Sequence, residues 1–135
     1  MTFRRFFLFV FFIVSFGVAV AGDKAADAVP QIQYVKLSPD IVTNLNYKAR
    51  PAFILLRLEL MVESKEAATL IVKLKPMLRA QIIKQLNKER MVPLMTRKGR
   101  IALRDRLLKL VQDALQSQVG KPLVKQVLFT RIVVE

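Results

Sequence analysis

The sequence predicts an α+β domain, a small antiparallel or mixed sheet flanked by two principal helices, carried behind an N-terminal apolar segment. Three observations predict it. Residues 56–63 alternate apolar with mostly charged side chains, apolar residues recur at three- and four-residue spacing over 66–89 and 97–116, and an apolar run from Phe6 to Ala21 follows Arg4 and Arg5. Strict alternation marks a half-buried strand, whereas the longer spacing marks a helix with one face in the core. Hydrophobic residues make up 53% of the 135 and charged ones 24%, so the chain folds rather than staying disordered. Roughly 110 residues remain behind the apolar segment, enough for one domain with a real core.

Residues 1–21 read as a signal peptide or a membrane anchor. The sixteen residues Phe6–Ala21 would span about 24 Å as a helix, short of the roughly 30 Å hydrocarbon core. Ala19-Val20-Ala21 before Gly22 also has the small-x-small form of a signal-peptidase site,. The abundance of phenylalanine, the capacity of arginines to snorkel and local bilayer thinning argue instead for a retained anchor. Both versions keep Arg4 and Arg5 inside and place everything after Gly22 outside the cytosol. Residues 22–33, with small and polar side chains and Pro30, read as a linker, and the folded domain is expected over 34–135.

Tyr34–Leu37 and Ile41–Leu45 read as short extended pieces separated by a turn at Ser38-Pro39-Asp40,. Ala52–Glu63 is the clearest strand, with Leu56, Leu58, Leu60 and Val62 on one face and Arg57, Glu59, Met61 and Glu63 on the other,. From Glu66 to Glu89 the apolar positions Ala67, Ile71, Leu74, Leu78, Ile82 and Leu86 predict a helix, kinked or divided in two at Pro76. Met91–Met95 is expected to be a loop held by Pro93. Thr96 then serves as N-cap of a helix from Arg97 to Gln116, with Ile101, Leu107, Leu108, Val111, Ala114 and Leu115 as its apolar stripe,. Gly120-Lys121-Pro122 turns the chain into a strand from Leu123 to Val134, where Leu128, Ile132 and Val134 oppose Phe129, Arg131 and Val133. Apolar side chains on both of its faces predict a central position in the sheet.

The chain has no Cys and no His, which removes thiolate and imidazole catalysis and the usual zinc ligand sets. Its ten acidic residues are scattered singly among Lys and Arg; Glu59 and Glu63 are the best candidates for a carboxylate hydrolase, though no spacing recommends them. No catalytic residue, cofactor or metal is expected. The net charge of +13, of which Arg4 and Arg5 supply two, attracts polyanions. Outside the cytosol these are anionic lipid headgroups, cell-wall polymer or an acidic protein surface rather than nucleic acid. Arg97, Lys98 and Arg100 put the wrong sign at a helix start, where the macrodipole prefers anions. With Lys73 and Lys84 they are the candidate contacts to an anionic partner.

The order of elements, with Tyr34-x-x-Leu37-x-Pro39, Asn44-Leu45, Leu94-x-Thr96-x-x-Gly99 and the terminal Val127-x-Phe129-Thr130, resembles the FliL family of proteins associated with the bacterial flagellar basal body. The resemblance runs over Tyr34–Glu135. It implies a single-span inner-membrane protein whose periplasmic domain is similar to the stomatin (SPFH) fold. It also implies a homo-oligomeric ring around the flagellar stator units that supports flagellar rotation, motility and chemotaxis. Lys98 stands where members commonly carry an acidic residue. The rival reading is a secreted, soluble, basic periplasmic domain, cleaved after Ala21, that binds anionic lipid or cell-wall polymer.

Overall fold

A computed structural model describes residues 29–135; the leader expected over 1–21 and most of the expected linker lie outside the described residues. The elements are β1 (Gln33–Lys36), β2 (Ile41–Leu45), β3 (Ala52–Val62), α1 (Lys65–Leu86), α2 (Met91–Leu94), α3 (Arg97–Val119) and β4 (Val124–Val134). Both expected short strands are present, and the long strand ends one residue earlier than the alternation predicts. Among the described residues, no helix is long and apolar enough to cross a membrane.

All strand pairings are antiparallel, and β3 is the centre of the sheet. Along one of its edges β1 and β2 lie end to end, with Gln33 opposite Val62 and Leu45 opposite Ala52. Along its other edge runs β4, from Ile54 opposite Val134 to Val62 opposite Val124. The inward row of β3, Ile54, Leu56, Leu58, Leu60 and Val62, is at most 2% exposed. It packs in one core with Ile71, Leu78, Ile82 and Leu86 of α1 and Leu103, Leu107, Val111 and Leu115 of α3. Each such side chain contributes about 1.5–3 kcal/mol by leaving water. The outward row, from Phe53 to Met61, is half-buried or exposed, so the domain has two layers with the sheet covered on one face.

The central position expected for the terminal strand belongs to β3; β4 pairs only with β3 among the described residues. Its apolar residues fall on both phases of a strict alternation because its register slips twice. Between Arg57 and Leu58 the ladder skips Thr130, whose Oγ1 donates to the Arg57 carbonyl at 3.3 Å. A one-residue bulge reverses the facing of every residue beyond it. Ile132 and Val134 therefore oppose Leu56 and Ile54, while beyond the slip Phe129 and Val127 oppose Leu58 and Leu60. Leu128, expected beside Ile132 and Val134, falls on the outward face opposite Glu59. The second slip, between Met61 and Val62, skips Lys125.

Three helical expectations also change. Pro76 neither ends nor divides α1. It is exposed, as is Val72, whose carbonyl loses its helical partner to the proline ring, so the break in the ladder falls on the outer side of the helix rather than in the core. Met91–Leu94 is a helical turn rather than a loop, seated by buried Met91 and Leu94. Pro93 is its third residue, where an N–H would lack a helical partner in any case. Finally, α3 extends three residues past Gln116 to a left-handed C-cap at Gly120, φ 72°. Its buried residues are Leu103, Leu107, Val111 and Leu115; Ile101 is 41% exposed.

Candidate anionic-partner surface

The carboxylates of the described residues are largely engaged with cations. Asp40 takes both Arg57 Nε and Nη2 at 2.8 Å, and Glu89 takes Arg106 Nε at 3.0 Å and Nη2 at 2.6 Å. Glu59 lies 3.9 Å from Lys36 Nζ and Glu63 lies 3.5 Å from Lys125 Nζ, so each of the two hydrolase candidates faces a lysine. Arg57 stands directly opposite Arg131 across the ladder, a repulsive pair. The Asp40 carboxylate relieves it: bonded by Arg57 and close to Arg131, it is held below the ordinary carboxylate range. Among the described residues no group of three or more acidic side chains could hold a metal ion.

A share of the uncompensated charge lies at one end of the domain. There the bend after β2 meets the end of α1, because the antiparallel register of β2 on β3 carries the chain to it. The Asn46 amide donates to the Glu89 carbonyl at 2.8 Å, and Thr43 Oγ1 lies 2.6 Å from Asn87 Oδ1. The next corner, between α2 and α3, is fixed by Thr96. Its Oγ1 accepts from the Gly99 amide at 3.0 Å and donates to the Pro93 carbonyl at 2.8 Å. Gly99 is required because a Cβ there would fall on the Pro93 carbonyl oxygen, deep inside van der Waals contact. These two corners bring Lys48, Arg50, Lys88, Arg90, Arg97 and Lys98 to one end, all exposed. None of the six pairs with a carboxylate of the described residues. A cavity of about 450 Å³, lined by residues 46–49 and 90–92, lies between Lys48 and Arg90.

Of the five cations singled out from sequence, Arg97 and Lys98 belong to this end, and Lys84, in the last turn of α1, lies near it. Lys73 is eleven residues earlier, about 16 Å back along the helix, and is not brought together with the others. Arg100 is half-buried and its Nε donates to the Leu94 carbonyl at 2.8 Å, capping α2. Sequence reasoning missed Lys48, Arg50, Lys88 and Arg90 as members of the surface. The two segments are joined by the tertiary contacts of Asn46 with Glu89 and Thr43 with Asn87, which no local pattern announces.

Arg79 of α1 is structural. Its Nη1 donates to the Leu37 carbonyl at 2.5 Å and also to the Pro39 carbonyl, clamping the β1–β2 turn onto α1. Arg79→Met, which keeps the stem and removes the donors, is expected to lower stability by about 1–3 kcal/mol in urea unfolding. A variant within about 0.5 kcal/mol of wild type would show the clamp to be dispensable.

The fold is thus a packed platform whose distinctive chemistry is a cationic end, and the class it defines is a small α+β domain. Residues 34–134 match the family model described as flagellar basal body-associated protein FliL, and the chain belongs to the FliL family. No curated protein matches the chain. Two of the sequence signatures now have physical reasons: Thr96-x-x-Gly99 is the α2–α3 corner, and Val127-x-Phe129-Thr130 leads into the β4 bulge.

Proposed function

We propose that this protein associates with the stator and motor of the flagellum at the inner membrane and supports flagellar rotation and motility. The observation that supports the reading is the family match over 34–134, which covers nearly all of the folded part. In this reading residues 1–21 anchor the chain, 22–33 tether it, and 34–135 form a periplasmic, stomatin-like domain. Its role is scaffolding rather than turnover. Self-association into a ring uses the exposed helix faces, since bulges interrupt the β4 edge.

A deletion strain is expected to swim poorly on soft agar and to recover with the full-length chain. A tagged full-length copy is expected to co-purify with stator proteins from solubilised membranes. Normal swimming together with no stator association would sink the proposal. The soluble reading, favoured by Ala19-Val20-Ala21, instead predicts release into the periplasm with a new N-terminus at Gly22.

A further inference from the structure

The turn α2 and its flanks carry apolar side chains that the core leaves outside. All five residues from Met91 to Met95 are apolar, yet only Met91 and Leu94 are buried. Val92 and Met95 are each 60% exposed, Pro93 is exposed, and Ile101 and Tyr47 nearby are 41% and 38% exposed. Six cations with no carboxylate partner among the described residues lie at the same end: Lys48 and Arg90 line one cavity with Val92, Arg97 and Lys98 follow Met95 closely in the chain, and Arg50 and Lys88 sit beside the first pair. The nearby carboxylate of Glu89 is already held by Arg106 and Gln85. In water alone, an apolar tip beside charges of one sign has no stabilising counterpart.

We propose that this tip docks on the surface of an anionic lipid bilayer. Val92, Pro93 and Met95 enter the headgroup boundary, and the cations meet lipid phosphates, with room for a headgroup in the cavity between Lys48 and Arg90,. A bilayer is favoured over an acidic protein because Val92 and Met95, each 60% exposed, stand on the same end as the cations, and an anionic bilayer offers apolar depth and phosphate charge together.

The chain can also reach. β1 begins at Gln33 beside Val62, at the opposite end of the domain, and the 22 residues of α1 separate the two ends by about 33 Å. The eleven residues 22–32 can extend about 37 Å. A domain held behind its leader can therefore lie down with α2 on the same bilayer, and tethering raises the effective concentration of the tip there. The proposal does not rest on the flagellar reading, because it needs lipid and no motor protein.

The chain contains no tryptophan, so Val92→Trp in the full-length protein places one fluorophore at the tip and Thr69→Trp places one on the exposed face of α1. Each is reconstituted into vesicles of phosphatidylcholine alone or with phosphatidylglycerol and cardiolipin, with brominated acyl chains as quencher. The tip reporter is expected to shift blue and to be quenched at least twofold only in anionic vesicles, while the α1 reporter stays unquenched. High salt should reverse the effect. Adding Arg97→Glu and Lys98→Glu should weaken it about tenfold or more. Equal quenching of both reporters, equal quenching in neutral and anionic vesicles, or no quenching would overturn the proposal. So would a shift produced by polyglutamate but not by vesicles, which would assign the tip to an acidic protein partner.

Discussion

Gly99→Ala is expected to destabilise the domain by about 3 kcal/mol, the upper end for a side chain forced into a filled site. The neighbour that a Cβ would strike is the Pro93 carbonyl oxygen, part of the backbone, so no rotamer change can relieve it. The same carbonyl accepts from Thr96 Oγ1 and from the Thr96 amide, and any retreat breaks the α2–α3 corner. Thr96→Ala is the milder companion, removing the bond to the Gly99 amide at about 1 kcal/mol. Urea unfolding of both variants checks the order. A Gly99→Ala midpoint equal to wild type would show that α2 can move away freely.

Leu103→Ala is expected to cost about 2–5 kcal/mol, the range for a large aliphatic side chain removed from a packed core. Ile101→Ala, two residues earlier on the same helix, should cost less than about 1 kcal/mol. Leu103 is fully buried and Ile101 is 41% exposed. The pair separates the stripe read from sequence, which includes Ile101 and omits Leu103, from the stripe the fold uses. Equal losses would mean that α3 is rotated on the sheet relative to the structure described above.

The contrast shows what the chain's own pattern determines. The strand β3 and the helices α1 and α3 are legible because their periodicity persists over many residues and a single misplaced side chain does not obscure it. On α3 the hydrophobicity of Ile101 is no guide to its burial, because Leu103, Leu107, Val111 and Leu115 recur every four residues and seat the helix. Pro76 reads as a kink or a division, and the division does not occur; composition does not say which side of the helix faces water. The β4 slip at Thr130 is invisible for a related reason: a bulge is set by how two strands twist together, and only one of them is in the local window.

The cationic surface divides in the same way. Arg97 and Lys98 are conspicuous in sequence because their charge opposes the helix start they occupy. Arg100 shares that signal, but its bond to Leu94 needs a helical turn where the sequence suggested a loop. Lys48 and Arg50 meet Lys88 and Arg90 across some forty residues of chain. Their proximity is a product of strand register, on which charge patterning is silent.

The two interruptions of β4 bear on how the molecule behaves in a crowded compartment. An unbroken eleven-residue border of free amides and carbonyls is a template onto which an extended neighbour can lay itself, and such templating starts fibrous aggregates. Here the skipped Lys125 and Thr130 put the spacing of donors and acceptors out of step at two points, so an incoming strand would leave bonds unmade. A chain in which more than half the residues are hydrophobic thereby keeps its longest open border unsuited to stacking, and copies of it can be concentrated at one place without coalescing.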